Sequence, residues 1–122
     1  MRKLFLALVI LLFPAAAEAD YMNLGQPYPI TWTRISGTIA TGGTSQQLLA
    51  ANPGRRALLI ENPCNATEDL YVEPTSSAAS TTLSIDVPAC GNITFGIGVV
   101  SQGVVNIIGA TTSHAFIAYE GN

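Results

Sequence analysis

The stretch Arg55-Arg56-Ala-Leu-Leu-Ile-Glu-Asn-Pro-Cys-Asn-Ala-Thr-Glu-Asp-Leu-Tyr-Val72 constrains the fold more than any other part of the chain. It holds two apolar runs, Ala57 to Ile60 and Leu70 to Val72, on either side of a turn built from Asn62, Pro63, Asn65 and Asp69. Four successive apolar residues predict a strand covered on both faces, hence a central one. Leu70 to Glu73 is expected to pair with it across the Asn62 to Asp69 connection, and Pro74 ends that second strand by removing a ladder donor.

The remainder continues in short strands. Ile30 to Thr41, rich in Thr and Ile, reads as a strand that bends or bulges at Gly37, with Trp32 near one end of the domain. Gly42-Gly43 is a two-residue turn signal, and Thr44 to Ala50 returns as a short strand or one helical turn. Asn52-Pro53-Gly54 has the Pro and Gly placement of a type II turn. Leu83-Ser-Ile85-Asp-Val87 alternates cleanly and predicts a half-buried strand. Ile93 to Phe95, Val104 to Ile108 and Ala115 to Tyr119 complete the set, and the glycine-punctuated loop from Gly96 to Gly103 is expected to plug one end with its Ile and Val side chains. Seven or eight short strands at about ten-residue spacing predict an all-β domain, a small antiparallel β-sandwich or short barrel.

The start of the chain reads as an export signal. Met1-Arg2-Lys3 is a positive head, Leu4 to Phe13 an apolar run, and Ala17-Glu18-Ala19 a cleavage pattern. The expected organisation is a signal peptide over 1–19, an extended arm over 20–30 and the sandwich over 31–122. In the arm, Tyr21, Met22, Leu24 and Tyr28 are candidate residues for docking on a neighbouring subunit. Two cysteines in an exported chain predict a Cys64–Cys90 disulfide. From Asp20 onward the chain carries three arginines, no lysine and seven acids. Such a balance excludes the basic stripe that nucleic-acid binding requires and disfavours anionic membrane surfaces.

Catalytic and cofactor chemistry finds little footing. His114 is the single histidine, and Ser113 beside it on an extended chain points to the opposite face. Glu61, Glu68, Asp69 and Glu73 crowd the central stretch without the spacing of a calcium loop and read as a solvated rim. His114 with two distant cysteines falls short of a metal site. Of Arg55 and Arg56, one must face the core side and there satisfy a carboxylate or carbonyls at the strand start, because an unpaired buried guanidinium is very costly. Asn65-Ala-Thr67 and Asn92-Ile-Thr94 match glycosylation sequons. The expectation is therefore a non-enzymatic protein with no metal and no cofactor.

The run Ser36-Gly-Thr-Ile-Ala-Thr-Gly-Gly-Thr-Ser-Gln-Gln-Leu-Leu-Ala-Ala-Asn-Pro-Gly-Arg-Arg-Ala-Leu-Leu-Ile-Glu-Asn62 resembles small β-rich accessory proteins of tailed bacteriophages and prophages, as does the close, Val105-Asn-Ile-Ile-Gly-Ala-Thr-Thr-Ser-His-Ala-Phe-Ile-Ala-Tyr-Glu120. The resemblance implies a virion-associated role such as capsid decoration, a fibre base or a tail accessory domain. Its partners would be virion subunits or further copies of itself, and it brings no catalytic residues. The export signal and the cysteine pair depart from that pattern, and an exported, prophage-derived relative accommodates both. The other expectation is a secreted or periplasmic module that binds a protein or a glycan.

Overall fold

The computed structural model describes residues 29–122. The expected export signal over 1–19 and the candidate arm residues Tyr21, Met22, Leu24 and Tyr28 lie outside the described residues. Eight strands follow in order: β1 Trp32–Thr38, β2 Gln46–Leu49, β3 Ala57–Glu61, β4 Leu70–Glu73, β5 Ile85–Val87, β6 Asn92–Phe95, β7 Val105–Gly109 and β8 Ala115–Gly121. They form two four-stranded antiparallel sheets, ordered β1-β8-β3-β6 and β2-β7-β4-β5. The domain is a β-sandwich.

The core lies between the sheets. Leu58, Ile60, Phe116 and Ala118 come from one sheet and Leu49, Leu70, Val72, Val87, Val105 and Ile107 from the other. Full burial of a Leu or Ile is worth about 1.5–3 kcal/mol, so this layer is the main stabilising term. Gly37 belongs to the same design. A Cβ there would stand 2.8 Å from the Phe116 ring tip, so the missing side chain lets the ring lie against β1. The expected bend at Gly37 is not found, since β1 keeps unbroken register with β8 from Trp32 to Thr38.

The largest departure from expectation concerns β3 and β4. They do not pair: β3 lies between β8 and β6, and β4 lies between β7 and β5 in the other sheet. Their connection arches across the core instead of reversing within a sheet. Among the described residues, β4 and β5 are the only consecutive strands that are neighbours in one sheet. Each apolar run still becomes central, because each gains two flanking strands. Cover on both faces is partial for β3, where Ala57, Leu58 and Ile60 are buried while Leu59 and Glu61 are half-buried.

Three local readings are also corrected. The alternation from Leu83 yields a strand only over Ile85–Val87, with Leu83 87% exposed and Ile85 38% exposed. A turn takes the preceding residues, closed by Ser84 N–H to the Ser80 carbonyl and Ser80 N–H to Ser84 Oγ. The Gly96 to Gly103 loop leaves Ile97 and Val99 exposed, and Val100 is the residue that packs on the core. The turn at Asn52 is closed by Arg55 N–H to the Asn52 carbonyl, yet Gly54 lacks the positive φ of a type II turn. Asn52 Oδ1 accepts from Gly54 N–H and stabilises the alternative geometry.

Candidate functional site

Each end of the sandwich is closed by polar side chains. Strand register places Trp32, Ala57, Phe95 and Gly121 at one end and Thr38, Glu61, Asn92 and Ala115 at the other.

Arg55 fills the first end. It immediately precedes the β3 region and is 1% exposed. Its Nε donates to Glu120 Oε1 at 2.7 Å, Nη1 to the carbonyls of Ser101 and Gly103 at 2.6 and 2.9 Å, and Nη2 to the Ala50 carbonyl at 2.7 Å. A planar fork of donors meets acceptors from two loops and from β8, an arrangement a lysine could not reproduce. Arg56 is exposed, and its N–H donates to the Gly121 carbonyl at 2.7 Å. Asn52 joins the same cluster through Nδ2, which donates to Glu120 Oε1 and Asn122 Oδ1.

Asn62, Glu68 and His114 close the second end. Asn62 is 1% exposed, and its Nδ2 donates to the carbonyls of Glu68 and Val87, each at 2.9 Å. Those two bonds turn Oδ1 toward His114, where it lies 2.8 Å from Nε2. Nδ1 lies 2.7 Å from Glu68 Oε1, which also accepts from the Thr111 N–H and hydroxyl. Both ring nitrogens thus lie against a side-chain oxygen. Neither nitrogen is left to take a proton from Ser113. The solvated-rim expectation is corrected for Glu68, and equally for Glu73, which accepts from Thr75 and Ser84.

Beside this cluster opens a cleft of about 230 Å3, bordered by Asn65, Thr67, Glu68, Thr111, Thr112 and Ser113. Its walls are the β3–β4 and β7–β8 connections. Cys64 and Cys90 are disulfide-bonded next to it, and both are exposed. The sequon residues Asn65 and Asn92 are likewise exposed on either side of the bridge. Among the described residues there is no group of three or more His, Cys, Asp or Glu able to hold a metal ion. No helix of the described residues is long and apolar enough to cross a membrane.

Burial acts to raise the Glu68 pKa, but hydrogen bonds from His114 and Thr111 outweigh it and hold the carboxyl below its ordinary 4.5. The Thr75 hydroxyl and N–H, with help from Ser84, lower Glu73 in the same direction. A depressed carboxylate stabilises the fold above its unfolded pKa, and that stabilisation is lost as pH falls through the lower folded value. Stability should therefore decline below pH 4.5. Glu68→Gln should flatten part of that decline in urea titrations at stepped pH, with Glu73 contributing the rest. His114→Ala, which leaves Asn62 Oδ1 and Glu68 short of a donor, should cost about 1–3 kcal/mol at pH 7.

Arg55, Cys64 and Cys90 are structural, each tying an end of the sandwich. Sequence reasoning missed Asn62 and His114 as buried partners. The available signal was an Asn directly after a buried strand and a His directly before another, both at positions where strand ends need capping. The chain matches no protein-family model, no curated protein and no solved structure.

Proposed function

We propose that this chain is a non-enzymatic structural module that works by surface contact, of the kind found as accessory domains of phage or prophage particles. The observation that carries the non-enzymatic reading is the engagement of His114. Both of its nitrogens are committed to Glu68 and Asn62, so the imidazole is not a free general base for the neighbouring Ser113 hydroxyl. The phage-type reading is supported by the resemblance of the segments 36–62 and 105–120. Their distinctive residues, Gly42, Gly43, Asn52, Arg55, Asn62 and His114, hold turns and ends of the sandwich, so what those motifs share is framework. The disulfide is consistent with an exported protein.

Fractionation of the producing cells before and after prophage induction tests this reading. Mass spectrometry would follow the chain in purified particles, periplasm and medium. A fixed copy number in particles is the expected result. Recovery only in periplasm or medium, as a chain starting at Asp20, would overturn it and favour an exported protein- or glycan-binding module. The polar cleft beside Asn65 and Thr111 favours that second reading, since hydroxyl and amide groups suit a polar ligand.

A further inference from the structure

We propose that the β1 edge that no described strand occupies is a self-association surface, on which β1 of a second copy pairs antiparallel about a two-fold axis with Ile35 opposite Ile35. The proposal deepens the structural reading above, on which it rests for its purpose, by naming the partner of one surface.

β1 differs from the other sheet edges. β5 has three residues, β6 has four, and β2 has four with a register shift between Gln47 and Leu49. Short or bulged edges resist pairing with other chains. β1 runs for seven residues in unbroken register, without proline and with Arg34 as its single charge. Among the described residues no strand pairs with its outer side.

The ladder shows which β1 groups are turned away from β8. Thr31 and Asn122 exchange both backbone hydrogen bonds, while Ile39 donates to the His114 carbonyl and accepts from Ser113 N–H. Alternate residues of an antiparallel strand direct these groups the same way. Thr33, Ile35 and Gly37 therefore face β8, and Trp32, Arg34, Ser36 and Thr38 present N–H and C=O to the open edge. The Thr38 carbonyl accepts from Gln46 Nε2 at 3.2 Å and retains a second lone pair.

A two-fold pairing must oppose open-edge residues to one another, so its axis passes through a residue position. An axis at Arg34 would set cation against cation, which is unfavourable. An axis at Ser36 would leave Trp32 and Thr33 beyond the partner strand. The axis at Ile35 overlaps all of β1, opposing Arg34 to Ser36, Trp32 to Thr38 and Thr33 to Gly37. It gives an isologous interface and covers the side of Trp32, which is 48% exposed.

Sedimentation velocity and hydrogen exchange on the recovered chain, each over a concentration series, test the proposal. The expected result is a dimer whose formation slows exchange at the Arg34 and Ser36 amides. Register is read by two variants at Ser36, which is exposed. Ser36→Asp faces Arg34 of the second copy and should tighten Kd by roughly two- to thirtyfold over the two symmetric pairs, and Ser36→Lys should loosen it by a similar factor. A chain that stays monomeric to about 1 mM, or equal responses of the two variants, would overturn the pairing. So would protected Arg34 and Ser36 amides in a monomer, the result expected if residues 20–28 of the same chain occupied the edge. Failure here leaves the copy number in particles unchanged, so the two proposals fail separately.

Discussion

Arg55→Ala should destabilise the domain by about 3–5 kcal/mol, because it breaks a buried ion pair by removing one partner. The loss has two parts. Glu120, whose side chain is 15% exposed, loses the Arg55 guanidinium, while Asn52 Nδ2 still donates to it. The carbonyls of Ala50, Ser101 and Gly103 lose donors at the same time. For a domain with total stability near 5–15 kcal/mol, the urea midpoint should fall sharply. Glu120→Gln retains an oxygen for Arg55 Nε and should cost less, about 1–2 kcal/mol. A midpoint for Arg55→Ala within experimental error of wild type would show that the guanidinium does not hold this end.

Removing the disulfide should cost about 3.5 kcal/mol by the chain-entropy argument for a 26-residue separation. The native structure itself should change little. Glu61 and Asn92 are already paired across β3 and β6, and Asn62 N–H donates to the Gly91 carbonyl, so the bridge joins segments that the ladder holds together. Its effect falls on the unfolded chain, where the loop containing β4 and β5 would otherwise be free. Both cysteines are exposed, so reductant reaches them without unfolding. Equilibrium urea curves with and without reductant should differ in midpoint, while native near-UV circular dichroism stays the same. Equal midpoints would show that the loop is constrained in the unfolded state by other means.

The all-β architecture was legible because short apolar runs separated by Gly, Pro and Asn leave little room for helices. The disulfide was legible from cysteine parity in a chain whose start reads as an export signal. Sheet membership was not. The connection from Asn62 to Asp69 is as polar as a hairpin loop would be, and the sequence carries no mark that separates an arch from a reversal. Leu83 misled for a related reason: alternation reports a possible face, but burial requires a neighbour to cover it, and the Ser80–Ser84 turn draws Leu83 away. The cluster at the second end was hidden by distance along the chain. His114 lies 52 positions from Asn62 and 46 from Glu68, and nothing local to any of the three residues announces the others.

The pairing of β1 with β8 bears on the order of events during synthesis. β8 is the shared neighbour of β1 and β3, and Glu120 is the carboxylate that meets Arg55. A ribosome must therefore release the chain through β8 before this sheet can assemble. Until then the emerging polypeptide lacks the strand that joins its earlier pieces, and non-local pairing of this sort is slow in any case. A translocation channel that accepts only extended polypeptide would find the strands before β8 still threadable until β8 has emerged.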